Sequence, residues 1–438
     1  MADTKSWKIA AGLLIIGLVI GVVVGYASAP RPQATTGPTG PTVLTGQIPI
    51  GVLSSLTGPL SSMGFQLSSG VKMAASDVNN FLNASGQHFT LSILQEDDQS
   101  TPDGALVALQ GLYAKGVQVV IGPSTTSQVA NLKTYADSNH IVLMSPSSTG
   151  PSMAIPNDYI LRFAPVDKYQ MGAQARFLWD EGIRYIAIAQ VVGQAPEEDT
   201  LFFRALWSQM GGNSSDPIKY DASAKDFSTE VSELNTLVQN GITQYGVAKV
   251  AVQFVGYEES AIWLNEAKDY PALMSVMWIS NDGNAQSTVV LQEAGSLAAH
   301  VLFPCTLFGA TNSAKYQEIT SRLQAETGIF PSTYGLVAYD EVWIIAYALI
   351  MTQKYDGPTL LQYVPIVANS YYGASGWTAL DVNGDRAFGD YDIWAIMTNA
   401  TTGQPAWTKI ASWSAATDSI SWVHGKVGLP TNSTLPTG

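Results

Sequence analysis

VVIGPSTTSQVANLKTYADSNHIVLMSPSST, residues Val119–Thr149, is the stretch that decides the fold. Its apolar segments, Val117–Ile121 and Ile141–Ser145, each have the length of a buried strand, and each is followed by Ser, Thr and Pro. Parallel strands that end side by side would place these hydroxyl residues at the carboxyl edge of a sheet, where open α/β sheets bind ligands. The stretch therefore predicts an α/β fold with the floor of a ligand site at this edge.

The chain on either side of this stretch predicts two doubly wound lobes. Strands and amphipathic helices alternate from Ile48 to Pro165, and the alternation starts again at the predicted strand Tyr185–Ala189. It continues through predicted strands at Val250–Val255 and Val276–Ile279. Such alternation is typical of parallel sheets covered by helices. We therefore expect two α/β lobes joined by a hinge, with a cleft between them.

The later part of the chain is expected to return to both lobes, because neither sheet is complete without further strands. The predicted organisation is an N-terminal membrane anchor or signal (1–29), a linker (30–46), the first part of lobe 1 (47–165), the first part of lobe 2 (166–300), a return to lobe 1 (301–372), a return to lobe 2 (373–428) and a tail (429–438).

The N-terminal region predicts export. Ile9–Tyr26 is an uncharged apolar run of the length that spans a bilayer, and it follows two lysines, which favour the cytoplasmic side. Pro30 disfavours cleavage after Ala27-Ser28-Ala29, so we expect a retained transmembrane helix, with removal of a signal as the alternative. The Pro-rich linker that follows would be an extended tether. Four Asn-X-Ser/Thr sequons are compatible with a glycosylated extracellular surface or with chance, and they lie at Asn83, Asn213, Asn399 and Asn432.

Composition argues against several classes of function. A net charge of −14 with only 21 Lys and Arg residues argues against a nucleic-acid partner. Cys305 is the only cysteine and the four histidines lack ligand spacing, so no disulfide, metal site or cofactor is expected. The sequence has no GxSxG, P-loop or HExxH motif, and no catalytic residue is predicted. Asp381–Asp392 superficially resembles a calcium loop, but Arg386 replaces the glycine that such a loop needs at its sixth position, so a turn is the better interpretation.

Six motifs together resemble the type I periplasmic binding proteins, and most closely the branched-chain amino-acid (Leu/Ile/Val)-binding proteins of ABC transporters. The resemblance implies an extracytoplasmic substrate-binding protein that closes on a small molecule, such as an amino acid, and delivers it to an ABC permease in the membrane. A ligand-binding ectodomain of a sensor complex is the alternative, because receptors also use this fold. The motifs are IGVLSSLTGPLSSMG, EDDQSTPDGA, VVIGPSTTS, IVLMSPSSTGP, YILRFAPVDKYQ and SGWTALDVNGDR.

The resemblance also implies where a ligand carboxylate would bind. In the family, backbone N–H groups and hydroxyls at two strand ends hold it. The corresponding residues in this chain are Thr125, Thr126, Ser127, Ser147 and Thr149, and Thr126 and Ser127 are preferred within the first segment. Hydroxyls and oriented amides can hold a carboxylate without a buried cation.

The second lobe would hold the ligand's ammonium group. The resemblance assigns this role to Asp282, with Tyr257 packing on the ligand. Met63 and Gly193–Asp199 replace aromatic residues that shape the side-chain pocket in the family. The ligand's side chain is therefore left open, and amides, urea and aromatic acids remain alternatives to an amino acid.

Overall fold

The computed structural model describes residues 43–426 of the chain. The predicted anchor or signal (1–29), the predicted tail (429–438) and the linker before residue 43 lie outside the described residues, as does Asn432. Residues 43–426 belong to one compact unit.

The described residues form seventeen strands, which alternate with helices through much of the chain. The strands are β1 (Gly46–Ser54), β2 (Phe89–Asp97), β3 (Val119–Ile121), β4 (Val142–Ser145), β5 (Ile160–Pro165), β6 (Tyr185–Val191), β7 (Asn213–Ser214), β8 (Ile218–Tyr220), β9 (Val250–Val255), β10 (Met277–Ser280), β11 (Cys305–Phe308), β12 (Tyr372–Gly373), β13 (Gly376–Trp377), β14 (Asp385–Arg386), β15 (Tyr391–Thr398), β16 (Pro405–Ser414) and β17 (Ser419–Trp422).

The helices of the described residues pack against the sheets and against one another. They are α1 (Ser61–Ala84), α2 (Pro102–Ala114), α3 (Thr126–Asn139), α4 (Lys168–Asp180), α5 (Gln194–Gln209), α6 (Ser228–Tyr245), α7 (Ser260–Ala267), α8 (Pro271–Met274), α9 (Thr288–Val301), α10 (Ala314–Thr327), α11 (Thr333–Thr352) and α12 (Gly357–Ala368), with short 3₁₀ turns at Pro151–Met153 and Val247–Lys249.

Two sheets form the two lobes and confirm the predicted α/β fold class. The first sheet has six parallel strands in the order β14-β5-β4-β3-β1-β2. The second has nine strands. Eight of them follow the order β17-β16-β15-β11-β10-β9-β6-β7, and the ninth, β8, pairs with β6. Its strands from β6 to β11 are parallel, and β15, β16 and β17 add an antiparallel edge.

The predicted returns to lobe 1 at residue 301 and to lobe 2 at residue 373 are both too early. Cys305–Phe308 extends the second sheet, because Cys305 is in register with Ser280. Asp385–Arg386 extends the first sheet, where Asp385 is in register with Arg162. Both strands are short and follow irregular segments, so the order of elements along the chain does not reveal which sheet they complete.

A buried ion pair fixes the β14 edge of the first sheet. Both oxygens of the Asp385 carboxylate accept hydrogen bonds from Arg162, at 2.6 and 2.7 Å, and the guanidinium also donates to the Gly150 carbonyl at 2.6 Å. Asp381 accepts the backbone N–H groups of Asn383 and Asp385, which closes a turn. These bonds agree with the interpretation of the Asp381–Asp392 segment as a turn.

The chain passes between the two lobes three times, at residues 166–167, 309–313 and 387–390. The three connections pack closely at Gly389. A Cβ atom at Gly389 would lie 2.3 Å from Pro165 Cγ and 2.7 Å from Phe308 Cε2. The absence of a side chain at Gly389 therefore lets the third connection pass close to the ends of β5 and β11, where the other two connections begin.

Helix α11 is a core helix of the first lobe. Among the described residues it is the one helix that is long and apolar enough to cross a membrane by length and composition, and 72% of its most apolar window is buried inside the protein. It packs along α1, whose Leu67, Val71, Ala74 and Val78 are all buried. Its apolar composition is therefore explained by packing between helices.

Candidate ligand-binding site

The two strand ends of the opening stretch lie side by side in the first sheet. Strands β3 and β4 are parallel neighbours, and Ile121 is in register with Met144. The chain after β3 leads into α3, and the chain after β4 forms the loop with Ser147 and Thr149. The carboxyl ends of both strands therefore carry polar residues at one edge of the sheet.

The N-terminus of α3 presents free backbone donors at this edge. Thr125 is the N-cap residue, and its side chain accepts the N–H of Gln128, while the Gln128 side chain accepts the N–H of Thr125. The N–H groups of Thr126 and Ser127 are in the first helical turn, where no helical carbonyl can accept them. The helix dipole adds a partial positive charge at the same place, so this end of α3 is suited to a carboxylate.

The hydroxyl groups beside α3 differ in what they can still donate. Ser147 Oγ donates to the Ser124 carbonyl at 2.8 Å, and Thr126 Oγ1 accepts the N–H of Gly150 at 2.9 Å. Ser124 Oγ is buried and has no protein partner. Ser124 Oγ therefore has its donor unused, whereas Thr126 Oγ1 also lies 3.2 Å from Ser148 Oγ, and either of these two hydroxyls can donate to the other. The resemblance favoured Thr126 and Ser127 within the same segment.

The second lobe places Tyr257 and Asp282 opposite this edge. Tyr257 follows β9, and its backbone N–H donates to Glu259 Oε1 at 2.9 Å. Gly256 allows this turn to form, because a Cβ atom there would lie 1.9 Å from the hydroxyl oxygen of Tyr220. Burial raises the pKa of the Tyr257 hydroxyl, so this group is a neutral donor.

Asp282 follows β10 and bridges the two lobes. Its Oδ2 atom accepts a hydrogen bond from the hydroxyl of Tyr334 on α11, and Gln170 also donates to its carboxylate. Burial raises the pKa of Asp282 despite these two donors. A cation beside Asp282 would offset this cost of burial by favouring the ionised form.

Two further carboxylates lie at the same cavity, at Asp167 and Asp199. Both are buried, and burial followed by the charge of Asp282 raises the pKa of Asp167 to about 7. Burial and then the charge of Asp167 raise the pKa of Asp199. Neither oxygen of Asp167 nor the Oδ1 atom of Asp199 accepts a hydrogen bond of ordinary length, although the Thr149 hydroxyl lies near enough to Asp167 to counteract part of the rise in its pKa.

Seven of the eight residues singled out from the sequence line one cavity of about 40 Å³. Ser127 lies instead at a larger adjoining space of about 930 Å³, which shares Thr125, Thr126 and Tyr257 with the cavity. The residues that line the small cavity are Leu60, Met63, Ser124, Thr125, Thr126, Ser147, Thr149, Asp167, Ala195, Pro196, Asp199, Tyr257, Asn281, Asp282 and Gly283.

The sequence did not single out Asp167 or Asp199. Asp167 lies between β5 and α4, at a position where an aspartate commonly caps a helix. Its side chain accepts no capping hydrogen bond from α4. Helix α5 begins at Gln194, so Ala195, Pro196 and Asp199 are helical residues that line the cavity. The resemblance had marked this segment as part of the pocket but not Asp199 itself.

Hydrogen bonds between the lobes surround the cavity and hold them in a closed arrangement. Ser62 Oγ lies 2.7 Å from Thr288 Oγ1, and Ser61 Oγ donates to Glu258 Oε2 at 3.2 Å. The bond from Tyr334 to Asp282 closes the same side. Tyr334, Ser61 and Ser62 belong to the first lobe, and their partners belong to the second.

Comparison with known proteins identifies the family. The model of the receptor family ligand binding region matches residues 66–399 of this chain. An uncharacterised protein from Methanocaldococcus jannaschii is 28% identical over 396 residues, which cover 86% of this chain and 91% of that protein. The Leu/Ile/Val-binding protein of Escherichia coli K12 is 24% identical over 195 residues, which cover 44% of this chain and 52% of that protein.

Solved structures show the same fold. A leucine-binding protein from Thermotoga maritima superposes with a TM-score of 0.72 at 17% identity, over 84% of this chain and 99% of that one. A branched-chain amino-acid transporter substrate-binding protein from Streptococcus pneumoniae, in complex with isoleucine, gives a TM-score of 0.67 at 19% identity, over 83% of this chain and 99% of that one. The resemblance inferred from the motifs is thus confirmed, and the chain belongs to the family of receptor ligand-binding regions, with the type I periplasmic-binding-protein fold of branched-chain amino-acid-binding proteins.

Proposed function

We propose that this chain is the extracytoplasmic substrate-binding protein of an ABC importer and that it captures a small amino acid. One observation carries the proposal: the N-terminus of α3 in the first lobe faces Asp282 of the second lobe across one small cavity. The first group suits a carboxylate and the second suits an ammonium group, so a zwitterion would be held at both ends. Thr125, Thr126, Ser147 and Thr149 would surround the carboxylate, with Ser127 contributing its backbone N–H.

Capture would proceed by closure of the lobes. A ligand bound to α3 in an open form would gain contacts with Tyr257 and Asp282 only when the lobes close, and this difference would shift the population to the closed form. The hydrogen bonds of Ser61, Ser62 and Tyr334 across the cleft support such a form, because they need both lobes in contact. Met63 would border the ligand's side chain.

Delivery to a permease and anchoring to the membrane complete the proposal. The apolar run Ile9–Tyr26 supports an anchor in the cytoplasmic membrane, and the Pro-rich linker would let the two lobes reach the permease. Asn83 and Asn213 are exposed, so both could carry glycans on an exported chain. Edman sequencing of the mature protein tests the anchor, since a start near residue 30 would show that the segment is removed.

An aromatic acid is the second candidate ligand, because the solute-binding protein from Rhodopseudomonas palustris with this fold holds 3,4-dihydroxybenzoic acid. The charges favour the amino acid. A benzoate would bring an anion and no cation to a cavity that already contains Asp167, Asp199 and Asp282. A sensor ectodomain would use the same site, and association with a permease rather than with a signalling partner separates the two roles.

A thermal-shift screen of the full-length chain tests the proposed ligand class. The screen uses the twenty amino acids, short amides, urea and aromatic acids, each at the same concentrations. The proposal expects the largest increase in Tm with a small amino acid, because a ligand that binds the folded state stabilises it. An increase with benzoate alone would contradict it. Mass spectrometry after incubation should recover the ligand unchanged, and a product peak would indicate an enzyme.

A further inference from the structure

The cavity has an excess of negative groups. Asp167, Asp199 and Asp282 all line it, whereas no lysine, arginine or histidine of the described residues does. Arg162, a buried cation of the first lobe, acts on Asp167 only from a distance, as a minor influence that lowers its pKa, because its guanidinium is bound to Asp385 and to the Gly150 carbonyl. The three carboxylates therefore have no cation from the described part of the chain at the cavity to balance them.

The oxygen atoms of two of these acids also lack donors. Both oxygens of Asp167 and one oxygen of Asp199 are buried with no hydrogen bond of ordinary length from an N–H or hydroxyl, and the Thr149 hydroxyl is a neutral donor near Asp167. The two carboxyl groups lie within hydrogen-bonding reach of each other, which requires one shared proton. The pair then still carries one negative charge, in addition to the charge of Asp282.

A ligand with one ammonium group leaves this charge unbalanced. One ammonium would neutralise Asp282, and the Asp167–Asp199 pair would remain as a buried anion, which is costly without a partner. Two ammonium groups would balance both anions. The ligand's carboxylate would still be held by the N-terminus of α3.

We propose that the cavity is built for a short α-amino acid that carries a second amino group on its side chain. The inference rests on the proposed function, because it uses the same carboxylate and ammonium positions and adds a second cation beside Asp167 and Asp199. The small volume of about 40 Å³ favours a side chain shorter than that of lysine. Ala195 and Pro196 form an apolar wall next to Asp199, which would pack on the methylene groups.

Calorimetry with two ligands of matched shape tests this inference. 2,4-Diaminobutyrate and norvaline differ by an ammonium in place of a methyl group, and both are titrated into the full-length chain at about pH 6.5, where an amino group is charged. The expected result is that 2,4-diaminobutyrate binds at least about tenfold more tightly. Equal or tighter binding of norvaline would overturn the inference while leaving the proposed function in place. If neither ligand nor any of the twenty amino acids binds, the proposed function itself fails.

A variant of Asp199 tests the residue assignment. In Asp199→Asn the ratio of the affinity for 2,4-diaminobutyrate to that for norvaline should fall at least about tenfold. Glu197→Gln is the control and should preserve this ratio, because Glu197 is an exposed residue of the same helix whose carboxylate pairs with Lys219. An unchanged ratio in Asp199→Asn would overturn the role of Asp199. If that variant does not fold, the affinity ratio of the wild-type protein is measured at about pH 4.5 instead. Protonation of the carboxylates should reduce the ratio there, and a constant ratio would overturn the inference.

Discussion

Replacing Asp282 by asparagine removes the charge proposed to hold the ammonium group and keeps the shape of the side chain. The amide oxygen of the new side chain could still accept the hydrogen bond from Tyr334 on the first lobe. The bridge between the lobes would therefore persist, and the change would act mainly on the ligand. This makes Asp282→Asn a sharper test than Asp282→Ala, which would also remove the bridge.

The size of the effect follows from the charges around the cavity. Two unit charges about 4 Å apart attract by about 4 kcal/mol at an effective dielectric constant of about 20. Removing one partner of a buried pair costs about 2–5 kcal/mol. Asp167 and Asp199 would take over part of the attraction, and the raised pKa of Asp282 means that some of it is used to ionise the free site. We therefore expect a loss of about 2–3 kcal/mol, or roughly a 30- to 150-fold increase in Kd.

Titration calorimetry measures this loss of binding free energy, with the tightest-binding amino acid of the thermal-shift screen as the ligand. The titration is done at about pH 7.5, where an unperturbed carboxyl group is ionised. Asp216→Asn serves as the control, because Asp216 is an exposed carboxylate of the second lobe, with a side chain 94% exposed. The control should change Kd less than about twofold. A Kd for Asp282→Asn within about twofold of wild type, in a variant that remains folded, would refute the assignment of Asp282 to the ammonium group.

Three other predictions concern stability. Gly256→Ala should lower the free energy of unfolding by about 1–3 kcal/mol, because its new methyl group would meet a tyrosine hydroxyl. Gly111→Ala should raise the free energy of unfolding by about 0.5–1 kcal/mol, since Gly111 is helical with open space around it, and urea denaturation measures both variants. Asp385→Asn should cost about 3–5 kcal/mol by the same assay, because it leaves the Arg162 guanidinium buried without its partner, and a loss below about 1 kcal/mol would show that the pair is not needed. The pKa of Asp167 is raised from 3.8 to about 7, so the folded protein binds a proton that the unfolded chain has released. The stability this provides to the empty protein is full below about pH 4 and is lost as the pH rises to about 7, and Asp167→Asn should flatten that part of the stability profile, whereas an identical profile would contradict the raised pKa.

The fold and one side of the site follow from local patterns in the sequence. Strand ends marked by Ser, Thr and Pro, as at Ser145, identify the carboxyl edge of a sheet without knowledge of the tertiary structure. The helical spacing of Leu67 and Val71 places them in the core, and both are buried. These features could be predicted because each depends on residues that are close in the sequence.

The remaining features depend on contacts between distant segments. Glu197, Glu198 and Asp199 are three consecutive acidic residues, and the sequence does not distinguish which of them lines a site. The start of α5 at Gln194 determines that Asp199 is the one that lines the cavity. The short strand Asp385–Arg386 joins the first sheet through its pairing with β5, which no local pattern indicates. Burial of Asp167 likewise results from packing between the lobes, so the acidic character of the cavity could not be inferred from the sequence.

A crystal structure of the chain with its tightest-binding amino acid would show directly whether the two lobes hold the two ends of a zwitterion. We predict that a ligand carboxylate oxygen lies about 3 Å from the backbone nitrogen of Thr126 or Ser127. We also predict that the ligand's amino nitrogen forms an ion pair with Asp282. A ligand bound in the reverse orientation, or outside the cavity between the lobes, would contradict the proposed mode of binding.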